Sequence, residues 1–112
     1  MKIPLASLLI FISFSSNAMT GNELYEKFNE YKKVNQNTID IAFATGMYAG
    51  YVDGAVDTFQ VLDILCPSSL VTRGQLIDTV GKFLENNPEV RHKAASSLVY
   101  NALKDIFSCK KE

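Results

Sequence analysis

Residues 38–65 carry the longest helical pattern in the chain, and that stretch restricts the fold more than any other. Ile39, Phe43, Met47, Tyr51, Ala55, Phe59 and Leu62 recur every three or four residues, which predicts one buried helix face. Gly46, Gly50 and Gly54 make a second stripe one turn apart. Each glycine costs roughly 1 kcal/mol against alanine inside a helix, so the ladder predicts a close approach by another element. Tyr48, Asp53, Asp57 and Asp63 interrupt the apolar surface. Unbroken, the helix would be about 42 Å long, and a bend at the glycines would shorten it.

The N-terminus reads as a targeting segment. Lys2 supplies a positive start, residues 3–14 are mostly apolar, and Ser16, Asn17 and Ala18 give a small-x-small cleavage pattern. The apolar run is shorter than the roughly 20 residues that span a bilayer. A signal peptide over residues 1–18, cut after Ala18, is expected, leaving residues 19–112 as one small domain. Removing Lys2 takes the formal charge from −1 to about −2, and no basic stripe remains, which speaks against nucleic acid or an anionic membrane as partner.

Both cysteines, Cys66 and Cys109, fall in the exported part, and an even pair in an oxidising compartment reads first as one disulfide. Closing a loop of about 43 residues stabilises a chain by about 4 kcal/mol through lost unfolded-state entropy. Two cysteines this far apart and one histidine offer neither a Cys-x-x-Cys redox site nor a zinc site. No metal or cofactor is expected.

The rest of the chain reads as further helices. Thr20 and Glu23 fit a capping box ahead of Leu24, Tyr25, Phe28 and Tyr31, with Lys32 and Lys33 in a last turn. Asn35, Gln36 and Asn37 make a polar link, and Asn37 or Thr38 is placed to cap the central helix. Pro67, Ser68 and Ser69 break that helix, and Thr72 and Gln75 form a second capping box before Leu76, Ile77, Val80, Phe83 and Leu84. Asn86, Asn87 and Pro88 stop this third helix, with Asn87 placed to cap a fourth and Pro88 at its first position. Val90, Ala94, Ala95, Leu98, Val99, Ala102, Leu103, Ile106 and Phe107 give it a clean apolar face. No segment alternates with period two. The fold expected is all-α, a compact bundle of four or five helices with one disulfide.

No set of side chains reads as a catalyst. His92 has no nucleophile placed beside it by spacing and is expected to pack or hydrogen-bond locally. Asp53, Asp57 and Asp63 are expected on a solvated face, with Asp57 toward a polar partner, since no further cation ligands accompany them. The glycine ladder could mark a membrane helix pair, but the aspartates along it favour close packing in water, against neighbouring helices or a second subunit. Tyr25, Tyr31, Tyr48, Tyr51 and Tyr100 are expected in the core or at its edge.

Taken in order, several segments resemble the Rap/Tai immunity proteins of type VI secretion systems. They are Gly50, Tyr51, Val52, Asp53 and Gly54 with Asp57; Cys66 and Pro67; and residues 71–76. Lys82, Phe83 and Leu84 follow, then Asn87, Pro88, Glu89, Arg91, His92 and Ala95, and finally Ala102, Leu103, Phe107, Ser108 and Cys109. The resemblance implies a periplasmic, helical, non-catalytic homodimer. Such a protein binds an injected peptidoglycan amidase, covers its active site and so protects the cell from its siblings. Many relatives carry a second cysteine pair, and here Phe28 and Tyr48 hold those places, which suggests an aromatic contact in its stead.

Occlusion needs a rigid protrusion, and two tight loops offer one: Pro67, Ser68, Ser69 and Leu70, and Glu85, Asn86 and Asn87. A different reading is a small periplasmic acid-stress chaperone. That protein would open near pH 2–3 and bind many clients, whereas an immunity protein would hold one partner at neutral pH.

Overall fold

The described residues form four α-helices and one short turn: α1 (Gly21–Tyr31), α2 (Ile39–Val61), α3 (Arg73–Asn86), a 3₁₀ turn (Pro88–Val90) and α4 (Ala95–Phe107). The computed structural model describes residues 18–33 and 39–109, the side chains of residues 40 and 41 excepted. No strand occurs among them beyond two isolated bridges, so the all-α expectation holds. The cleavage segment before Ala18 and the polar link at Asn35, Gln36 and Asn37 lie outside the described residues.

Only half of the capping box ahead of α1 forms. The backbone N–H of Glu23 donates to Thr20 Oγ1 at 3.2 Å. The hydroxyl in turn donates to the Glu23 carboxylate at 3.3 Å. The free N–H groups of the first turn go instead to another part of the chain. Gly21 donates to the carbonyl of Lys93 at 2.8 Å and Asn22 to that of Arg91 at 2.7 Å. Ala95 N–H closes the junction on the carbonyl of Met19.

This junction explains why α4 starts later than its apolar pattern. Carbonyls turned toward α1 are not available to a helix of their own. Residues 88–94 therefore form the 3₁₀ turn and its exit, and α4 begins at Ala95 without a side-chain cap. Asn87, expected to cap α4, donates its side-chain amide back to the carbonyl of Phe83 at 2.8 Å and closes α3 instead. Gly21 is required here, because a Cβ would lie 2.7 Å from Arg91 O and inside the Leu98 side chain.

α2 runs unbroken through its glycines for 23 residues, about 34 Å. The face it buries is Tyr48, Val52 and Val56, each 2% exposed or less, and not the one its spacing predicts. Ile39 is 89% exposed, Phe43 69% and Leu62 60%. The cause is geometric. Steps of four residues advance the helix by 400°, so a run of them drifts about 40° per step. Starting from Ile39, it passes from the solvent side to Phe59 against the core.

The helix ends in a Schellman motif: Ile64 N–H donates to Phe59 O at 2.8 Å and Asp63 N–H to Gln60 O at 3.0 Å. Asp63 occupies the left-handed position that closes this motif, with φ 57°. Aspartate tolerates that conformation better than most residues.

The core joins all four helices. Leu24 and Phe28 of α1 meet the α2 face, Leu76, Ile77, Val80 and Leu84 of α3, and Ala95, Leu98, Val99 and Leu103 of α4. Phe28 and Tyr48 do touch, ring centroids 5.3 Å apart, with Tyr31 5.5 Å from Tyr48. The Phe28 ring also lies directly against Gly81 of α3, where a Cβ would overlap it. Tyr48 is fully buried, and its hydroxyl donates to the carbonyl of Ile77, which satisfies both groups. Burial, and after it the negative charge of Asp78, pushes the Tyr48 phenol far above its ordinary value. Tyr31 moves the same way for the same reasons, and it donates to Asp78 at 3.3 Å. Tyr25, Tyr51 and Tyr100 are half-buried, as expected for core-edge residues.

Candidate partner-binding surface

The loop between α2 and α3 is short and held at both ends. At its start Cys66 is bonded to Cys109, the pairing expected from the sequence, with Cα atoms 4.8 Å apart. Beside the bond Cys66 N–H donates to Phe107 O at 2.7 Å, and Leu65 and Ser108 form an antiparallel bridge. At its end the Thr72–Gln75 capping box is complete: Gln75 N–H donates to Thr72 Oγ1 at 3.1 Å and Thr72 N–H to Gln75 Oε1 at 2.7 Å. Between these anchors a turn forms, with Val71 N–H donating to Ser68 O at 3.0 Å and Leu70 N–H to Ser68 Oγ at 3.3 Å. Ser68 and Ser69 are exposed, Pro67 is half-buried, and Leu70 stands 88% exposed at the tip.

A leucine so exposed contributes nothing to the fold. The turn that carries it is nevertheless fixed, so little order remains to be imposed when a partner covers it. A shallow hollow of about 400 Å³ between Cys66, Ser68, Val71 and Ile106 extends the same surface. Arg73 and Asp53, 3.3 Å apart, pair on the outside of the neighbouring helices, so Asp53 rather than Asp57 is the aspartate with a polar partner.

The second loop is different in kind. Arg91 donates to the carbonyls of Leu84 at 2.6 Å and Glu85 at 3.1 Å, and its guanidinium stacks over the Tyr25 ring at 3.7 Å. Asn87 closes α3 as described, and Glu85 pairs with Lys32 at 3.5 Å. Of the three residues proposed there, Asn87 and the backbone of Glu85 finish a helix. Asn86 is exposed. The two loops sit at opposite ends of the 14-residue α3, about 21 Å apart, and do not form one contact surface.

A third feature was not expected in this form. The α2 surface opposite the core is open, and a Cβ on Gly46, Gly50 or Gly54 would meet nothing within 4 Å. Among the described residues, therefore, nothing packs closely on the ladder. Next to it a groove of about 1070 Å³ runs between α2 and α4, with Gly50, Gly54, Tyr51 and Phe59 on one side and Ser97 and Tyr100 on the other. Phe59 and Tyr100, which both line it, meet edge to face at 5.8 Å. The ladder was visible in the sequence, but its direction depended on which face of α2 the other helices covered.

His92 is exposed in the turn before α4, not packed as expected. Among the described residues no group of three or more His, Cys, Asp or Glu could hold a metal ion. Among them, too, no helix is long and apolar enough to cross a membrane.

These features define a small helical binding module, stapled by one disulfide and presenting a stiff loop and an open groove. Compared with known protein families, residues 20–109 match the Rap1a immunity proteins, and the chain belongs to that family. No curated protein and no solved structure gives a significant match.

Proposed function

We propose that this protein is a periplasmic immunity protein. It binds a peptidoglycan amidase delivered by a type VI secretion system and blocks the enzyme's active site, without catalysis of its own. Family membership over residues 20–109 supports immunity, and the loop at residues 67–71 is the observation that carries the mode of action. An active-site cleft is blocked best by a narrow, rigid protrusion. Pro67, Ser68, Ser69 and Leu70 make one, with an apolar tip on a turn locked by the disulfide and the capping box.

Glu85, Asn86 and Asn87 take a lesser part in this reading, because Asn87 and Arg91 at that end are occupied with closing α3. Residues 1–18 act as the cleaved signal peptide that brings the chain to the compartment where its disulfide forms. There the protein works as a homodimer, each subunit offering one loop.

The test is to co-express the protein with the hydrolase encoded beside it and measure their association, then repeat it with Leu70→Asp. The wild type should co-purify with the enzyme and inhibit it. Leu70→Asp should keep the wild-type melting temperature and lose binding about a hundredfold, the scale of a central interface residue. Unchanged binding by Leu70→Asp removes the loop from the mechanism. A wild type that binds no such hydrolase removes the immunity reading itself.

A further inference from the structure

The Cys66–Cys109 bond lies outside the core and within the surface that the loop presents. Neither cysteine is among the buried residues, which stop at Leu65 after α2 and at Leu103 on α4. Cys66 is exposed and Cys109 half-buried. Cys66 also lines the hollow of about 400 Å³ that it shares with Ser68, Val71 and Ile106, so solvent and small solutes reach the bond from the loop side.

Three links tie the start of the loop to the end of α4. They are the bond itself, the Cys66 N–H donated to Phe107 O, and the bridge between Leu65 and Ser108. The two backbone links involve Cys66 and Ser108, both exposed. Backbone contacts at an exposed end open readily once nothing covalent holds them. The core survives their loss, because Leu65 stays buried at 1% exposure and Phe107 packs against the core from α4. At the far end the Thr72–Gln75 capping box is untouched. Opening the bond therefore removes one of the two anchors of residues 67–71 before it disturbs any helix.

We propose that the Cys66–Cys109 bond is a redox gate on the partner-binding loop. Closed, it holds residues 67–71 in the binding shape. Opened, it leaves the four helices folded and the loop too free to bind well, because the partner must then impose the order itself. The proposal rests on the proposed function for the identity of that partner. Opening takes two electrons from a dithiol. One thiolate of the dithiol attacks Cys66 Sγ, the more open sulfur, and Cys109 leaves as a thiolate that takes up a proton. The second thiol of the reductant, as its thiolate, then attacks the reductant's own sulfur in the mixed disulfide. It releases Cys66 as a thiol and leaves the reductant as a disulfide.

The gate makes export and arming one event. In a reducing cytosol the loop stays loose and the amidase remains free, whereas in an oxidising compartment the loop is set. Coupling of this kind is reciprocal: whatever factor opening costs in affinity, the bound partner resists opening by the same factor. A tenfold coupling shifts the reduction potential of the bond by about 30 mV.

The Cys66→Ser, Cys109→Ser double variant reproduces the open state without exposing the enzyme's own cysteines to a reductant. At about 25 °C and neutral pH it should keep the helical circular dichroism of the wild type and bind the neighbouring hydrolase about tenfold or more weakly. Hydrogen exchange of the unbound proteins gives a readout that needs no partner. In the variant the amides of Cys66→Ser, Leu70 and Ser108 should exchange faster, while those of Val52 and Leu98 stay protected. Equal affinity of the two proteins overturns the gate. So does a variant that loses its helical signal or exchanges faster throughout, since the bond then holds the whole fold and not the loop. A wild type that binds no hydrolase counts against the immunity reading alone, and hydrogen exchange then decides the gate by itself.

Discussion

Alanine in place of Gly81 or Gly54 should change stability in opposite directions, although both glycines lie inside helices. Alanine gains roughly 1 kcal/mol over glycine from helix propensity at either site. At Gly54 nothing lies within 4 Å of the new methyl, so that gain should appear almost undiminished. At Gly81 the methyl would overlap Cε1, Cδ1 and Cζ of Phe28. The ring cannot swing away, because it is 5% exposed and held by Tyr48 and Tyr31. α3 must shift, and overpacking of this kind costs about 1–3 kcal/mol, with more where the neighbour is fixed.

The net expectation is a loss of about 1–2 kcal/mol for Gly81→Ala and a gain of about 0.5–1 kcal/mol for Gly54→Ala. In a domain of this size 1 kcal/mol moves the melting temperature by about 4–8 °C, so the two variants should melt on either side of the wild type. Thermal unfolding by circular dichroism at one low protein concentration measures this without a contribution from association. A double-mutant cycle identifies the cause: with Phe28→Leu already in place, Gly81→Ala should cost nothing or stabilise. If Gly81→Ala melts at or above the wild type, or keeps its full cost beside Phe28→Leu, the Phe28–Gly81 contact does not govern the site.

Replacing both Cys66 and Cys109 by serine should lower stability by about 4 kcal/mol, the effect of reopening a loop with a 43-residue separation. An unchanged denaturation midpoint under non-reducing conditions would contradict it. Tyr48→Phe should cost about 1 kcal/mol near neutral pH, since it removes the buried hydrogen bond from the phenol to the Ile77 carbonyl. The same variant should be less sensitive to alkali. The folded phenol titrates above its unfolded value of about 10, so its stabilising effect is complete below that pH and is lost as pH rises beyond it. Urea midpoints of the two proteins between about pH 8 and 11 should therefore converge toward the alkaline end.

Much of this protein is local in origin, and its sequence determined that part alone. The complete capping box at Thr72 and Gln75, the helix stop at Asn86 and Pro88, and the Cys66–Cys109 bond each depend on neighbours in sequence or on the only pairing two cysteines allow. The family signature is likewise a matter of order and spacing, and it holds across residues 20–109. The Phe28–Tyr48 contact was legible only through the resemblance.

Which way α2 faces was decided by the tertiary structure. A helix that is apolar around its circumference supplies no moment to orient it, so its buried side depends on which stripe fits α1, α3 and α4. Tyr48 won because its ring meets Phe28 and its hydroxyl finds the Ile77 carbonyl, conditions met only after three helices assemble. The late start of α4 was fixed in the same way, by carbonyls of Arg91 and Lys93 that the first turn of α1 had claimed. The glycines divide along the same line. Gly21 and Gly81, unremarked in the sequence, are the ones that packing requires, while the conspicuous ladder faces outward. A pattern along the chain records periodicity, but only the partners in space give a periodic surface its inside and outside.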